Sequence, residues 1–177
     1  MPKQRKPKQH TLKKDRNGRI KTLYFAYGSN LNIEQMLARC PGAIPIATAV
    51  LHDYRLTYRG ASRNYGVANI EPAEGHEVLG ALYEIDERDL AALDRYEGYP
   101  TLYYRDDITV VAKGEEVNGD TKAFAYFMDP AKYRPSAPAT TYFHTIWKGY
   151  NDWSLPTRRL EQVTTAWIEQ GEGVEVV

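Results

Sequence analysis

The stretch 23–31, which reads Leu-Tyr-Phe-Ala-Tyr-Gly-Ser-Asn-Leu, most constrains how this chain can fold. Its apolar and aromatic first half is typical of a buried strand, and that strand ends abruptly at Gly28. Ile33, Met36 and Leu37 then follow at helical spacing, so the predicted order is strand, tight turn and helix. A turn of this kind can direct several backbone N–H groups at one spot, where a small anion can bind.

The composition favours one intracellular domain. The 177 residues are 42% apolar, which is enough for a sizeable core. The single cysteine, Cys40, excludes an internal disulfide and a cysteine-based zinc site, and it is compatible with a reducing compartment. No apolar run approaches the roughly 20 residues of a membrane helix, and the basic N-terminus lacks the apolar stretch of a signal peptide. We therefore expect a cytoplasmic protein with no membrane partner.

The charge is unevenly distributed, although the formal net charge is zero. Residues 1–21 contain nine Lys or Arg and one acid, and the remaining 14 bases and 22 acids give −8. We expect residues 1–20 to form a basic, disordered tail. A solubilising leader, a nucleic-acid-binding segment and a segment that folds back on the acidic domain are the interpretations left open.

The pattern of strands and helices favours the α+β class. Strands are expected at 21–27, 44–50, 51–58, 67–70 and 77–85, with a hairpin of 103–112 and 121–128 around Asn118-Gly119. Helices are expected at 32–39, 86–96, 140–150 and 156–170, and a polar loop at 60–65. Because most strands precede the closing helices, a curled or barrel-like sheet is favoured over a doubly wound one.

Glu97 is the candidate acid–base residue. It follows the helix expected at 86–96, which Asp86 can cap and which Gly98 and Pro100 end. A carboxylate at a helix C-terminus faces the negative end of the helix dipole, and burial among neighbouring tyrosines would raise its pKa. A raised pKa suits a general base or acid near neutral pH. From this segment alone, an exposed residue in a helix-ending loop is the alternative.

Several motifs together resemble the γ-glutamylcyclotransferase-like, or AIG2-like, family. The stretch 24–31 is followed about 65 residues later by Leu-Asp-Arg-Tyr-Glu-Gly at 93–98, and the segments 103–104, 125–128 and 135–156 also fit. The resemblance spans about residues 22–170. It implies a small mixed β-barrel flanked by helices, a catalytic domain over residues 21–177, and no metal or organic cofactor.

The reaction that the resemblance implies is an intramolecular aminolysis. The α-amine of a γ-glutamyl group attacks its own γ-carbonyl, which gives 5-oxoproline and releases an amino acid or peptide. A γ-glutamyl-amine cyclotransferase, which differs only in the leaving group, is the first alternative. A non-catalytic protein that holds a small anion on the same fold is the second.

The resemblance also implies roles for individual residues. Glu97 falls on the catalytic glutamate, which takes the proton of the α-ammonium group and returns it to the leaving nitrogen. The substrate-binding turn falls on Tyr27, Gly28, Ser29, Asn30 and Leu31, whose backbone N–H groups would hold the α-carboxylate or polarise the carbonyl. The pocket tyrosines fall on Tyr104, Tyr126 and Tyr142, for which a place in the core is the alternative.

The remaining candidate side chains are one serine, three arginines and the histidines. Ser29 lies outside any Gly-x-Ser-x-Gly pattern, so it is not expected to be a nucleophile. Arg55, Arg59 and Arg63 lie among tyrosines, where they would recognise a carboxylate on the leaving group or form a solvated strand face. The four histidines are scattered and do not indicate a metal site.

Overall fold

The computed structural model describes residues 13–62 and 65–170. Arg63 and the first twelve residues of the expected tail lie outside the described residues. A short strand, β1 (Lys13–Lys14), pairs antiparallel with β2 (Ile20–Ala26), so the last part of the segment expected to be a tail borders the sheet.

The described residues form a mixed sheet and several helices. The longer strands are β3 (Ile44–Ser62), β4 (Tyr65–Asp86), β5 (Tyr104–Lys113) and β6 (Asn118–Phe127). The α-helices are α1 (Ile33–Arg39), α2 (Glu87–Glu97), α3 (Thr140–Asp152) and α4 (Thr157–Gln170), and a single 3₁₀ turn spans Ser29–Leu31. The expected α+β class is confirmed. None of the helices in this part of the chain has the length and apolar character needed to cross a membrane.

The sheet has the order β1-β2-β4-β3-β5-β6, with antiparallel neighbours throughout. One parallel pairing, Tyr24 with Phe124, also joins β2 to β6, so the order of strands β2 to β6 returns on itself. The rings of these two residues stack with their centroids 5.4 Å apart. Strand β2, which ends shortly before the 3₁₀ turn, therefore lies between β4 and β6.

Strands β3 and β4 are longer than the sequence pattern predicted. The separate strands expected at 44–50, 51–58, 67–70 and 77–85 are wrong, because β3 and β4 pair almost throughout their length. Gly75, where a break was expected, has a φ of 77°, and its N–H donates over 3.0 Å to Oδ1 of Asp53, which has a φ of 61°. The pair forms an irregularity at which the ladder shifts register without ending.

The helix caps follow the sequence signals. The Asn32 side chain accepts from the Gln35 N–H at the start of α1. Asp86 caps α2, Asp89 completes the reciprocal capping box, and Gly98 ends the helix at a φ of 65°. The position of Gly98 leaves Glu97 as the last residue of α2.

Helix α3 holds the turn after β2 in place. Gly149 packs so closely on this turn that an added Cβ would lie 2.6 Å from the Leu31 carbonyl carbon and the Asn32 nitrogen. Just beyond α3, the Trp153 indole N–H donates to the Leu31 carbonyl oxygen over 3.1 Å. The backbone of the turn is thus fixed from one side by α3.

Candidate active site

A small cavity lies where the end of β2, the C-terminus of α2 and the start of α3 meet. Its volume is about 30 Å³. The lining combines tyrosines, the turn and one carboxylate: Tyr24, Tyr27, Gly28, Ser29, Asn30, Ala68, Glu97, Tyr103, Tyr126 and Tyr142. Among the described residues of this lining, Glu97 is the acidic one, and none is Lys, Arg or His.

The cavity brings together most of the residues that the sequence nominated, but Leu31 and Tyr104 do not line it. Leu31 is fully buried in the core, and its N–H donates to the Gly28 carbonyl oxygen over 3.0 Å. Tyr104 is 44% exposed, and its ring stacks on Phe127 with the centroids 5.6 Å apart. The predicted contact between the Tyr104 side chain and a substrate therefore has no support in this cavity.

Tyr103, which the sequence analysis missed, lines the cavity in place of its neighbour. It is buried and lies just before β5, so the alternation of side chains along the strand does not govern its direction. Tyr24 and Ala68 were also missed. Tyr24 could have been predicted to line the site, because it belongs to the motif at 24–31, whereas no sequence pattern pointed to Ala68.

Glu97 is bound to the turn through the side chain of Asn30. The Asn30 Nδ2 group donates to Glu97 Oε1 and to the Tyr24 hydroxyl, each over 3.0 Å. The Asn30 backbone carbonyl in turn accepts from the Tyr83 hydroxyl over 2.9 Å. This network holds the amide and the carboxylate together at the base of the cavity.

Burial raises the pKa of Glu97 to about 7, against the opposing effects of the Arg39 charge and the Asn30 hydrogen bond. The expected rise in the pKa of this carboxyl is confirmed. A carboxyl group with such a pKa exchanges its proton near neutral pH, which is the property that a general base or acid needs. The catalytic role of Glu97 itself stays a prediction.

Three of the lining tyrosines donate their hydroxyl protons to the protein. Tyr27 donates to the Tyr126 carbonyl over 2.6 Å, and Tyr103 donates to the Ala68 carbonyl over 2.7 Å. Tyr126 donates to Asp94 Oδ1 over 2.7 Å. Because a phenol has one proton, these three hydroxyls offer a ligand only their oxygen lone pairs.

The hydroxyls of Tyr24 and Tyr142 are oriented differently. Tyr142 accepts from the Ala68 N–H over 3.0 Å, and Tyr24 accepts from the Asn30 amide. In the described part of the chain, neither hydroxyl proton has a protein acceptor. Burial raises the pKa of both phenols well above the usual range, so both stay protonated. They are therefore the two phenols able to donate to a ligand.

The turn contributes backbone donors to the same wall of the cavity. The N–H groups of Ser29 and Asn30 precede the first hydrogen bond of the 3₁₀ turn, where helical N–H groups have no partner within the helix. A Cβ on Gly28 would lie 3.1 Å from the Ala68 Cβ and 3.5 Å from the Tyr142 hydroxyl. The turn and Tyr142 are thus close enough to contact one ligand group together.

Arg55 and Arg59 do not line the cavity. Arg59 is buried, where its guanidinium pairs with Glu71 and donates to the Tyr133 carbonyl oxygen. The Arg55 guanidinium lies 3.7 Å from the second oxygen of Glu71. These two arginines contribute to a structural ion cluster between β3 and β4.

Comparison with known proteins gives a consistent assignment. A family described as gamma-glutamyl cyclotransferase, AIG2-like, matches residues 24–149. The gamma-glutamylcyclotransferase of Bos taurus is 30% identical over 142 residues, which cover 76% of this chain and 72% of that protein. The gamma-glutamylaminecyclotransferase of Bos taurus is 37% identical over 76 residues, 43% of this chain and 44% of that protein. A solved gamma-glutamyl cyclotransferase structure superposes with a TM-score of 0.72 at 28% identity, covering 81% of this chain and 86% of the other. The chain belongs to the gamma-glutamyl cyclotransferase, AIG2-like family.

Proposed function

We propose that this protein is a γ-glutamyl cyclotransferase that converts a small γ-glutamyl amino acid or peptide into 5-oxoproline and the free amino acid or peptide. The observation that carries the proposal is the position of Glu97. Its carboxyl group has a pKa of about 7, and it lies beside the turn at 28–30, bound to the Asn30 amide, in a cavity lined with neutral donors and acceptors.

Glu97 acts first as a base and then as an acid. The α-ammonium group of the substrate is the natural partner of the Glu97 carboxylate, and only the neutral amine is nucleophilic. Glu97 therefore accepts one proton, and the amine nitrogen attacks the γ-carbonyl carbon to close a five-membered ring. Glu97 returns this proton to the leaving nitrogen as the bond from that carbon to it breaks, and the released amine takes up the second proton, which the ring nitrogen loses on becoming an amide.

The turn and two of the lining tyrosines supply hydrogen bonds to the negatively polarised groups of the substrate. The N–H groups of Ser29 and Asn30 and the hydroxyls of Tyr24 and Tyr142 are the donors. They suit both the α-carboxylate and the carbonyl oxygen, on which charge grows as the amine attacks. Binding at both ends of the γ-glutamyl group brings the amine close to the carbonyl, which favours ring closure over reaction with water.

The experiment that tests this proposal compares leaving groups. The purified protein is incubated with γ-glutamyl-alanine, with a γ-glutamyl dipeptide and with ε-(γ-glutamyl)-lysine, and 5-oxoproline is quantified. Release from the first two supports the proposal. Release from the lysine derivative alone supports a γ-glutamyl-amine cyclotransferase, which the similarity to the bovine gamma-glutamylaminecyclotransferase favours as second candidate. If none of the three compounds releases 5-oxoproline, both cyclotransferase proposals are contradicted. The remaining alternative is then a non-catalytic protein that binds a small anion.

The catalytic domain is proposed to span residues 21–177, because the cavity lining begins at Tyr24. Removal of residues 1–12 is expected to leave turnover nearly intact, and a large loss in the truncated protein would contradict a passive tail. A cytoplasmic location is proposed because the single cysteine, Cys40, is a buried free thiol.

A further inference from the structure

The Arg39 guanidinium lies behind the cavity, against the side chain of Asn30. Its Nη1 group donates to Asn30 Oδ1 and lies 3.5 Å from Ser29 Oγ. Its Nη2 group donates to Gln35 Oε1 over 2.8 Å, and the guanidinium carbon lies 3.7 Å from the centre of the Tyr96 ring. Arg39 is thus held in one position by α1, by the end of α2 and by the turn, but it does not line the cavity.

These contacts decide which way the Asn30 amide is turned. A guanidinium has donors and no acceptor, so the atom of Asn30 that faces Arg39 must be the oxygen. The nitrogen must then face Glu97 and Tyr24, to which it donates. An amide rotated by 180° would place Oδ1 against the Glu97 carboxylate, with two acceptors in contact and no proton between them.

We propose that Arg39 is a positioning residue, which holds the Asn30 amide so that its N–H group is always directed at the Glu97 carboxylate. The inference rests on the proposed function, since it matters to the reaction only if Glu97 is the base. Fixed in this way, the amide binds the ionised carboxylate and keeps it at one place beside the substrate amine. Arg39 therefore acts on the reaction through Asn30, without contact to the substrate.

The other groups around Glu97 do not supply the same effect. The titratable side chains that face it are Arg39 from α1, Tyr24 and Tyr27 near β2, Tyr103, Tyr126 from β6 and Tyr142 from α3. Burial keeps each of these phenols protonated and neutral. Arg39 is the cation among these groups, and its charge lowers the pKa of Glu97.

The test uses Arg39→Met, which keeps most of the aliphatic stem and removes the donors and the charge, and Arg39→Lys, which restores one donor and the charge. We expect Arg39→Met to lower kcat/KM about tenfold below pH 7, the size of one hydrogen bond to a charged group, and to lower it less at pH 9. Arg39→Lys should recover most of the loss. Thr164→Val, which removes the buried hydrogen bond to Tyr58 away from the cavity, is the control and should leave the pH profile unchanged.

A second readout does not depend on turnover. The protein is labelled with ¹³C at glutamate, and the Glu97 carboxyl signal is identified as the one missing from the spectrum of Glu97→Gln. This signal should titrate at higher pH in Arg39→Met than in the parent protein. The Asn30 side-chain NH₂ protons should exchange faster with solvent. An equal loss of kcat/KM at every pH, with an unchanged Glu97 titration and unchanged Asn30 exchange, would overturn the proposal.

A variant that fails to fold does not end the test. Arg39→Gln keeps an amide donor for Asn30 Oδ1 without the charge, so it should retain slow Asn30 exchange while the Glu97 titration moves upward. Fast Asn30 exchange in a folded Arg39→Gln or Arg39→Lys variant would contradict the proposal. A separate experiment tests whether Glu97 is the base at all. If it is not, the Glu97→Gln variant will turn over substrate at the parent rate.

Discussion

Asn30 and Glu97, 67 residues apart in the chain, are joined by a hydrogen bond of 3.0 Å from the side-chain amide to the carboxylate. Asn30 belongs to the turn after β2, and Glu97 is the last residue of α2. The contact places the carboxylate of one motif beside the backbone donors of the other. The chemistry proposed for this protein depends on that juxtaposition.

The pH dependence of the reaction follows from the pKa of Glu97. The base must be ionised to accept a proton from the substrate, and burial raises the pKa of its carboxyl group to about 7. We therefore predict that kcat/KM rises with pH through about 7 and then levels off. The measurement is kcat/KM from pH 5 to pH 9 with a γ-glutamyl amino acid, and a profile already flat from pH 5 would contradict it.

The same carboxylate should destabilise the fold above neutral pH. Its pKa is about 7 in the folded protein against an ordinary 4.5, so the folded state binds more protons between these values, and stability falls as pH rises through this window. Glu97→Gln removes the buried charge. We predict that it is more stable than the parent at pH 8, by up to about 3 kcal/mol, and equally stable near pH 4.

The difference in free energy of unfolding is measured by urea denaturation at both pH values. Glu87→Gln, at the exposed start of α2, serves as a control because it removes an acid without relieving burial. A Glu97→Gln variant less stable than the parent at pH 8 would show that the carboxylate is stabilised where it lies.

Tyr142→Phe tests the donor wall of the cavity. The Tyr142 hydroxyl accepts from the Ala68 N–H and keeps its proton for a ligand. We predict that the variant raises KM about tenfold, the effect of one lost hydrogen bond to a charged group. Tyr58→Phe loses a comparable buried bond to Thr164 outside the cavity lining, so its KM should stay at the parent value. If both variants have the same KM, the Tyr142 hydroxyl does not bind the substrate.

Gly149→Ala tests how α3 holds the turn. The added Cβ would lie 2.6 Å from backbone atoms of Leu31 and Asn32, which cannot move aside as a flexible side chain can. We predict a loss of about 2 kcal/mol or more in the free energy of unfolding, and a lower kcat/KM in the fraction that folds. Thr141→Ala, on an exposed position of the same helix, should change stability by less than about 0.5 kcal/mol. A Gly149→Ala variant as stable as the parent would show that α3 shifts freely on the turn.

The features that were predicted well depend on local chemistry. The cap at Asp86 and the left-handed Gly98 lie next to the helix that they start and end, so short sequence signals determine them. The rise in the pKa of Glu97 was expected from burial, although Tyr24, Tyr27, Tyr126 and Tyr142, which line the cavity with it, are distant in sequence. The sequence signals at the end of α2 therefore predicted that Glu97 lies at the C-terminus of this helix.

The features that were missed depend on contacts distant in sequence. The gap between the strands expected at 67–70 and 77–85 indicated a break, but β4 continues through it because it pairs with β3 on both sides. The resemblance assigned Tyr104 to the pocket, but Tyr103, which lies just before β5, lines the cavity instead. The Arg39–Asn30–Glu97 chain of hydrogen bonds requires α1 and α2 to pack beside the turn, and no spacing in the sequence indicates that packing.

The most direct test of the account is the rate of 5-oxoproline release by Glu97→Gln. The amide has nearly the shape of the carboxylate and can still accept from Asn30, so circular dichroism should show an unchanged fold. With the preferred γ-glutamyl substrate at saturation, we predict that kcat falls by about 10²- to 10⁴-fold, the usual contribution of a positioned general base. A folded Glu97→Gln protein that releases 5-oxoproline at the parent rate would contradict Glu97 as the base.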